Sequence, residues 1–232
     1  MSPLLVLAFV ILVVAMNKIA VEKAAGRRKN LKQLAINIGF TFTKRESPRT
    51  SDTFKHFTTF SQGHDRLAYN TLAGTMTIGG KDVRAQIGDY KYSVTSNNGK
   101  TTKTTTHHLS YLILRLPFID VPDMIVRTES IFDKIGAAIG FDDIDFESSE
   151  FSRKFFVKGK NRQFTYGLIH QGMMEFFLTE PFTPIEIKAG DCLICDGYST
   201  WSAPEIMEKI DFAKGFIERW PADLLDDVLN RS

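Results

Sequence analysis

The chain has 232 residues and a formal net charge of +2, and 43% of its residues are hydrophobic. It is therefore long enough to bury one substantial core or two small ones. The charge is unevenly divided, because residues 1–49 carry nine Lys/Arg and two Asp/Glu, a net +7, whereas residues 50–232 carry a net −5. A nucleic-acid binder concentrates basic residues on its folded domain, so this distribution argues against nucleic acid as a partner.

The first element in chain order is an apolar run from Pro3 to Met16, fourteen residues without a charged or hydrogen-bonding side chain. Continued to Val21 it has nineteen residues, close to the about 20 that a membrane-spanning helix needs. A cleaved signal peptide and a buried core helix are the alternatives, but no basic segment precedes the run and no small-x-small site follows it. We therefore predict a transmembrane anchor over residues 1–21. The residues expected to face lipid are Leu4, Leu7, Phe9, Ile11 and Val14.

Positive charges follow the anchor directly. By the positive-inside rule they predict a single-pass protein of the cytoplasmic (inner) membrane, with its N-terminus outside and its folded domain in the cytoplasm. Each basic residue near the surface of an anionic leaflet contributes roughly 1 kcal/mol of attraction, so we also expect contact with anionic lipid headgroups. The residues concerned are Lys18, Lys23, Arg27, Arg28, Lys29 and Lys32.

Residues 22–53 predict a basic helical stem that ends in a loop. Leu31, Leu34, Ala35 and Ile38 lie at i, i+3, i+4 and i+7, the spacing of one helix face. Gly39 then suits the left-handed residue that ends many helices. The stem is therefore expected to dock on the domain, which would couple the anchor to it rigidly, and residues 43–53 are expected to form the loop.

For residues 54–232 the pattern predicts an α+β domain, mainly antiparallel, with long hairpins. Strands are expected over 54–60 and 66–78. The pair Asn98-Gly99 is a strong turn signal and predicts a hairpin between residues 82–95 and 101–116. Near its base both faces of the hairpin are apolar, whereas its tip is polar. The tip is a candidate partner-binding surface through Asn98, Lys100 and Lys103.

The C-terminal half predicts alternating short elements and a final helix. Ser202 with Glu205 forms a capping-box pattern at the start of that helix. A closed, pleckstrin-homology-like barrel is a possible arrangement of the strands and the final helix. The expected elements are a helix at 128–138, an edge strand at 140–147, a strand at 151–159, a helix at 164–178 and a hairpin of 184–189 with 192–195.

The sequence contains no glycine-rich phosphate loop and no nucleophile or zinc-protease motif. Cys192 and Cys195 are three apart in an expected strand, so their side chains point to opposite faces and do not favour a redox or metal pair. The adjacent His107 and His108 diverge for the same reason. No cofactor is therefore expected.

An acidic stretch, Asp142 to Glu147, admits two further interpretations. As an edge strand it places Asp143, Asp145 and Glu147 on one face, a candidate partner-binding edge. Together with His170 or His64 it is also the only support for a hydrolase acting near the membrane.

Several short motifs together resemble a family of uncharacterised bacterial proteins that have one N-terminal transmembrane helix and a cytoplasmic α+β domain. The resemblance covers roughly residues 34–196 and implies the fold alone, with no activity and no functional residue to transfer. The motifs are Asn70, Gly74, Asp89-Tyr90-x-Tyr92, Pro117-Phe118, Pro122, Asp143-Ile-Asp-Phe-Glu147, Phe151-Ser152-Arg153 and Val157-x-Gly159.

The sequence thus favours a membrane-anchored, non-enzymatic binding or scaffold protein, such as an accessory subunit of a membrane protein complex. Its expected partners are anionic headgroups near the stem and a protein that is itself embedded in the membrane. A lipid-binding module at the membrane surface and a membrane-associated hydrolase are the two alternatives.

Overall fold

A single helix, α1 (Pro3–Asn37), forms the whole N-terminal part of the chain. The computed structural model describes residues 3–118, 120–128, 146–197, 199–222 and 224. Helix α1 is 35 residues long, about 52 Å at the usual rise per residue. Its N-terminal part is long and apolar enough to cross a membrane and has none of its surface buried. Here Leu7, Phe9, Ile11 and Val14 are exposed; the side chain of Leu4 lies outside the described part.

The other helices of the described residues are short, apart from α7. They are α2 (Arg49–Thr53), α3 (Thr58–Ser61), α4 (Ser149–Lys154), α5 (Arg162–Leu168), α6 (Gln171–Thr179) and α7 (Ala203–Glu218). Both halves of the predicted capping box are present at α7, because the Ser202 hydroxyl accepts from the Glu205 N–H and the Glu205 carboxylate accepts from the Ser202 N–H.

An eight-stranded antiparallel sheet forms the body of the domain, with strand order β1-β2-β3-β4-β8-β7-β5-β6. The sheet is open, with β1 and β6 at its edges, so the barrel alternative is wrong. The strands are β1 (Thr41–Thr43), β2 (His64–Ile78), β3 (Lys81–Asn97), β4 (Thr102–Arg115), β5 (Met124–Thr128), β6 (Phe155–Gly159), β7 (Ile185–Lys188) and β8 (Asp191–Ile194).

The β3–β4 hairpin confirms the prediction from Asn98-Gly99. Its register pairs Asn97 with Thr102 at the tip and Arg84 with Arg115 at the base. The turn needs the positive φ of Gly99, +82°, which glycine adopts without steric cost. At the base the hairpin is sandwiched, as its apolar pattern indicates, and its tip is exposed.

Two apolar clusters lie on opposite faces of the sheet. The larger one contains Leu112 and Leu114 of β4 and packs against α1 and the C-terminal helices. The smaller one contains Tyr111 and Ile113, with the α2–α3 segment over it. Successive side chains of β4 therefore point alternately into the two clusters, which explains why both faces of this strand are apolar.

Helix α1 ends by docking on the sheet, as its stripe predicts. Leu31, Leu34 and Ala35 are buried in the larger cluster. Gly39 has φ +74°, and the Phe40 N–H donates to the Ala35 carbonyl at 2.7 Å, which are features of a Schellman motif. Phe40 then lies on Gly74 of β2, where an added Cβ would be 2.4 Å from a ring carbon.

Several expected elements differ from the structure. The strand at 54–60 is wrong, because Phe54, Phe57 and Phe60 instead lie on the turns and short helix that lead into β2 and pack as one group. The expected loop at 43–53 contains α2, and the sheet already begins at Thr41, before the expected domain start at residue 54.

In the C-terminal half, some predicted elements are confirmed and others differ from the structure. The first half of the strand expected at 151–159 is α4, and the helix expected at 164–178 is divided between α5 and α6. The 184–195 hairpin is confirmed as β7 and β8. The helix expected at 128–138 and the strand at 140–147, including Asp143 and Asp145, lie outside the described residues apart from position 128 and the last two positions, 146 and 147.

Candidate functional site at the junction of the anchor helix and the sheet

A two-point ion pair joins α1 to the sheet. Arg27 donates from Nε to Oδ2 of Asp89 at 2.8 Å and from Nη2 to Oδ1 at 2.5 Å. The Asp89 side chain is 1% exposed and that of Arg27 is 23% exposed. Two parallel hydrogen bonds of this kind fix geometry as well as charge. Arg27 therefore sets the angle and the height at which α1 leaves the domain.

Asp89 also holds three strands together. On β3 it accepts from Nδ2 of Asn70 on β2 at 2.8 Å and from Oγ of Ser110 on β4 at 2.8 Å. Asn70 has a positive φ of +49°, a conformation that asparagine tolerates better than most residues. All lone pairs of the buried carboxylate are thus directed at donors, which is the condition for keeping a charge inside a protein.

The network extends to the segment before α7. Arg27 donates from Nη1 to the Trp201 carbonyl at 2.8 Å, and Oγ of Ser110 accepts from the Trp201 N–H at 2.9 Å. Trp201 is itself 2% exposed. One guanidinium therefore connects the anchor helix, the centre of the sheet and the start of the last helix.

Burial and the contact with Asp89 act on the pKa of Arg27 in opposite directions. Burial alone would lower it, but the hydrogen bond and the charge of Asp89 outweigh burial and raise the pKa of the guanidinium above its ordinary value. The arginine is therefore charged at every physiological pH. Arg27 was expected at the membrane surface with the other basic residues, and its guanidinium is directed into the domain, where it contacts Asp89.

The other basic stem residues remain candidates for headgroup contact. Lys18, Lys23, Lys29 and Lys32 are exposed, and Arg28 is half-buried. One sequence signal does separate Arg27 from them, because it precedes Leu31 by four positions and Leu34 by seven. It thus continues the stripe that faces the domain.

Beside the ion pair lies a cleft between α1, the segment after β1 and the outer surface of β2 and β3. Its volume is about 830 Å³. Lys91 donates to Glu46 across one side at 2.5 Å, and the hydroxyl of Tyr69 lies 3.0 Å from Nδ1 of His108. The residues lining it are Ala24, Arg27, Arg28, Lys44, Arg45, Glu46, Tyr69, Asn70, Lys91, His108 and Thr200.

The remaining predicted site residues do not converge on this cleft. Asn98, Lys100 and Lys103 are exposed at the hairpin tip, where Oδ1 of Asn98 accepts from the Lys100 and Thr101 N–H groups. Of the acidic edge, Glu147 is exposed, directly before the N-cap of α4.

Two histidines considered for hydrolysis have structural contacts. Nδ1 of His170 accepts from the Gly172 N–H at 3.1 Å, and its Nε2 lies 3.0 Å from the Arg219 carbonyl. His170 thereby caps α6. His64 lies between Asp65 and Thr95, with ring nitrogens 2.8 and 2.9 Å from their side-chain oxygens.

The cysteines are separate thiols on opposite faces of the sheet, as expected. Cys192 belongs to the larger cluster, whereas Cys195 packs against the smaller one. Burial raises the pKa of both thiols, that of Cys195 to about 12, so neither forms a thiolate readily. Among the residues that the structure describes, no group of three or more His, Cys, Asp or Glu side chains is placed to hold a metal ion.

These features define a class: an α+β domain built on an open antiparallel sheet and joined rigidly to an N-terminal apolar helix. The crystal structure of mycobacterial trehalose monomycolate transport factor A, TtfA, is similar, with a TM-score of 0.59 over 84% of this chain and 97% of that chain. Only 13% of the aligned residues are identical, so the likeness shows the fold alone. No protein-family model matches the sequence, and no curated protein matches it.

Proposed function

We propose that this protein is a membrane-anchored, non-enzymatic accessory factor of a transport assembly in the cytoplasmic membrane. The observation that carries the proposal is the fixed junction of α1 with the domain through Arg27 and Asp89. A flexible tether would suffice to keep an independent enzyme near a membrane. A helix that enters the core and is clamped at its exit instead presents the domain at one height and in one orientation to a neighbour.

The fold supports the same role. The structural neighbour is named as a transport factor, and we extend to this chain only an accessory role in transport, without its cargo. We place the N-terminus outside and the domain in the cytoplasm, because the basic residues follow the apolar segment.

The exposed hairpin tip is the surface we assign to the protein partner. Arg27 of α1 contacts Asp89 of β3, and Phe40, just after α1, contacts Gly74 of β2. From Asp89 the hairpin continues for eight residues, about 27 Å at the rise of a strand. The tip, with Lys100 and Lys103, thus projects well beyond the junction with α1 as an exposed polar surface, accessible to the part of a membrane protein that lies outside the hydrocarbon core.

The test is solubilisation of the native protein in mild detergent, followed by size separation and identification of comigrating proteins. We expect a stoichiometric membrane protein to comigrate. The K100E/K103E double variant is expected to lose that protein, whereas Lys55→Glu is the matched control, because Lys55 is exposed on the α2–α3 side. A protein that runs alone, or equal comigration in all three forms, would contradict the proposal.

A further inference from the structure

The cleft beside Arg27 carries an excess of positive charge. Five cationic side chains and one carboxylate line it. Two of these cations are neutralised by ion pairs. Lys91 pairs with Glu46, which also lines the cleft, and Arg27 pairs with the buried Asp89. Within the described part of the chain, Arg28, Lys44 and Arg45 form no ion pair. Three uncompensated cations around one concave surface attract an anion, and two of them are arginines, which match phosphate oxygens in two-point geometry.

A neutral phenol, that of Tyr69, completes the lining. Burial, and secondarily the charge of Asp89, raise the pKa of Tyr69 to about 12. The phenol therefore keeps its proton, and its hydroxyl lies 3.0 Å from Nδ1 of His108. Lys91 lies 5.9 Å from the centre of the Tyr69 ring, which holds the ring beside the cation. The site thus combines charge with a fixed polar group, as ligand sites commonly do.

The height of the cleft agrees with the layer of lipid phosphates. Ala24 lines the cleft and follows Val21, the last residue of the expected anchor, by three positions. At the rise of a helix it lies about 4.5 Å beyond the anchor, and Arg28 about 10 Å beyond it. The headgroup region extends for about 5–8 Å on each side of the hydrocarbon core. Tilting of α1 would reduce these heights further.

We propose that this cleft binds the phosphate of a membrane phospholipid from the leaflet that surrounds α1. The proposal rests on the proposed function only in taking α1 as membrane-spanning. The volume of about 830 Å³ exceeds what a lone phosphate ion needs and suits a headgroup. The acyl chains of such a lipid would continue along the exposed apolar residues of α1 below Ala24, among them Ile19 and Val21.

The test uses the delipidated full-length protein in detergent micelles, titrated with phosphatidylglycerol, and counts bound lipid by native mass spectrometry. The K44Q/R45Q variant removes two charges from the cleft wall. The matched control, K23Q/K29Q, removes two exposed charges of α1 at the same height that do not line the cleft. We expect K44Q/R45Q to weaken binding about tenfold, because it removes two phosphate contacts, and the control to weaken it less than about twofold.

Three outcomes would overturn the proposal. Equal weakening in both variants would mean general attraction to the basic stem. Equal binding of diacylglycerol, which lacks the phosphate, would mean that the headgroup is not recognised. Displacement of the lipid by millimolar glycerol 3-phosphate would assign the cleft to a soluble phosphate ester instead.

The controls keep this test separate from the proposed function. Unchanged thermal unfolding of both variants shows that the fold is intact, and resistance to alkaline carbonate extraction reports the insertion of α1 independently. The partner test depends on comigration and on the hairpin tip. A protein that binds phosphatidylglycerol but runs alone would therefore contradict the accessory role and leave the cleft assignment standing.

Discussion

Asp89 is the residue on which the junction depends, since its carboxylate accepts from Arg27, Asn70 and Ser110. We predict that Asp89→Asn destabilises the protein by about 3–5 kcal/mol, because it leaves the Arg27 charge partly buried without a counter-charge. The measurement is urea unfolding of the full-length protein in detergent, followed by the fluorescence of its two tryptophans, Trp201, which lies against the network, and Trp220.

A double variant separates the charge effect from packing. In R27M/D89N both charges are gone, so we expect it to be less destabilised than Asp89→Asn alone, as buried pairs replaced together usually are. Lys29→Gln, an exposed change on the same helix, should stay within about 0.5 kcal/mol of the wild type. Additive losses in the double variant would show that the two residues act independently.

The pairing of Arg27 with Asp89 could not be predicted from the sequence alone. Arg27 and Asp89 are 62 positions apart, and no local pattern connects residues at that separation. The sequence does indicate the orientation of Arg27, since this residue shares a helix face with Leu31 and Leu34. Its position predicts that it faces the domain, but not which carboxylate it meets.

At the scale of elements, Glu186 on β7 predicts a pH dependence of stability. Burial is the largest cause that raises the pKa of its carboxyl, to about 7 from an ordinary 4.5. Between these values the folded protein holds more protons than the unfolded chain, so stability falls as pH rises through this window. The stabilisation is fully present below about pH 4.5 and lost above about pH 7.

We expect the free energy of unfolding to fall by about 2 kcal/mol from this group between pH 5 and pH 8. Urea unfolding at both pH values measures it. In Glu186→Gln the fall should shrink by that amount, because the amide does not titrate. Identical pH profiles for the two proteins would mean that Glu186 is solvated in the folded state.

Elements whose signals are local were predictable. The Asn98-Gly99 hairpin, the Gly39 helix end and the Ser202 capping box each depend on a few adjacent residues, and the structure has all three. The segment at 54–60 was not, although the spacing of Phe54, Phe57 and Phe60 is three. A spacing of three disagrees with the two-residue period of a strand and agrees with turns and short helices. The strand was predicted from the apolar content of the segment, whereas the spacing of its phenylalanines indicates the structure that is present.

For the whole molecule, the sequence predicted an antiparallel α+β domain behind an apolar helix, and the structure has this architecture. The cleft could not be predicted in the same way. Its lining comes from α1, from the segment after β1, from three strands and from the chain before α7, and only the sheet order brings these together. Its charge comes partly from residues that the sequence assigned to a loop.

The arrangement as a whole predicts that the height of the cleft above the membrane governs lipid binding. We consider an insertion of Gln-Ala-Gln-Ala-Gln-Ala-Gln between Val21 and Glu22. Seven helical residues turn the domain by nearly two full turns, so its orientation changes by only about 20°, while the cleft rises by about 10 Å. The cleft would then lie above the headgroup layer, since that layer is only about 5–8 Å thick.

We expect this variant to lose the phosphatidylglycerol that the wild type retains when it is transferred from phosphatidylglycerol nanodiscs, as counted by native mass spectrometry. Its thermal unfolding should be unchanged, because the insertion lies outside the packed part of α1. The same heptapeptide placed between Gly99 and Lys100 is the control, because it lengthens the exposed tip and leaves the height of the cleft unaltered. Retention of the lipid by the raised domain would show that α1 does not position the cleft at the leaflet.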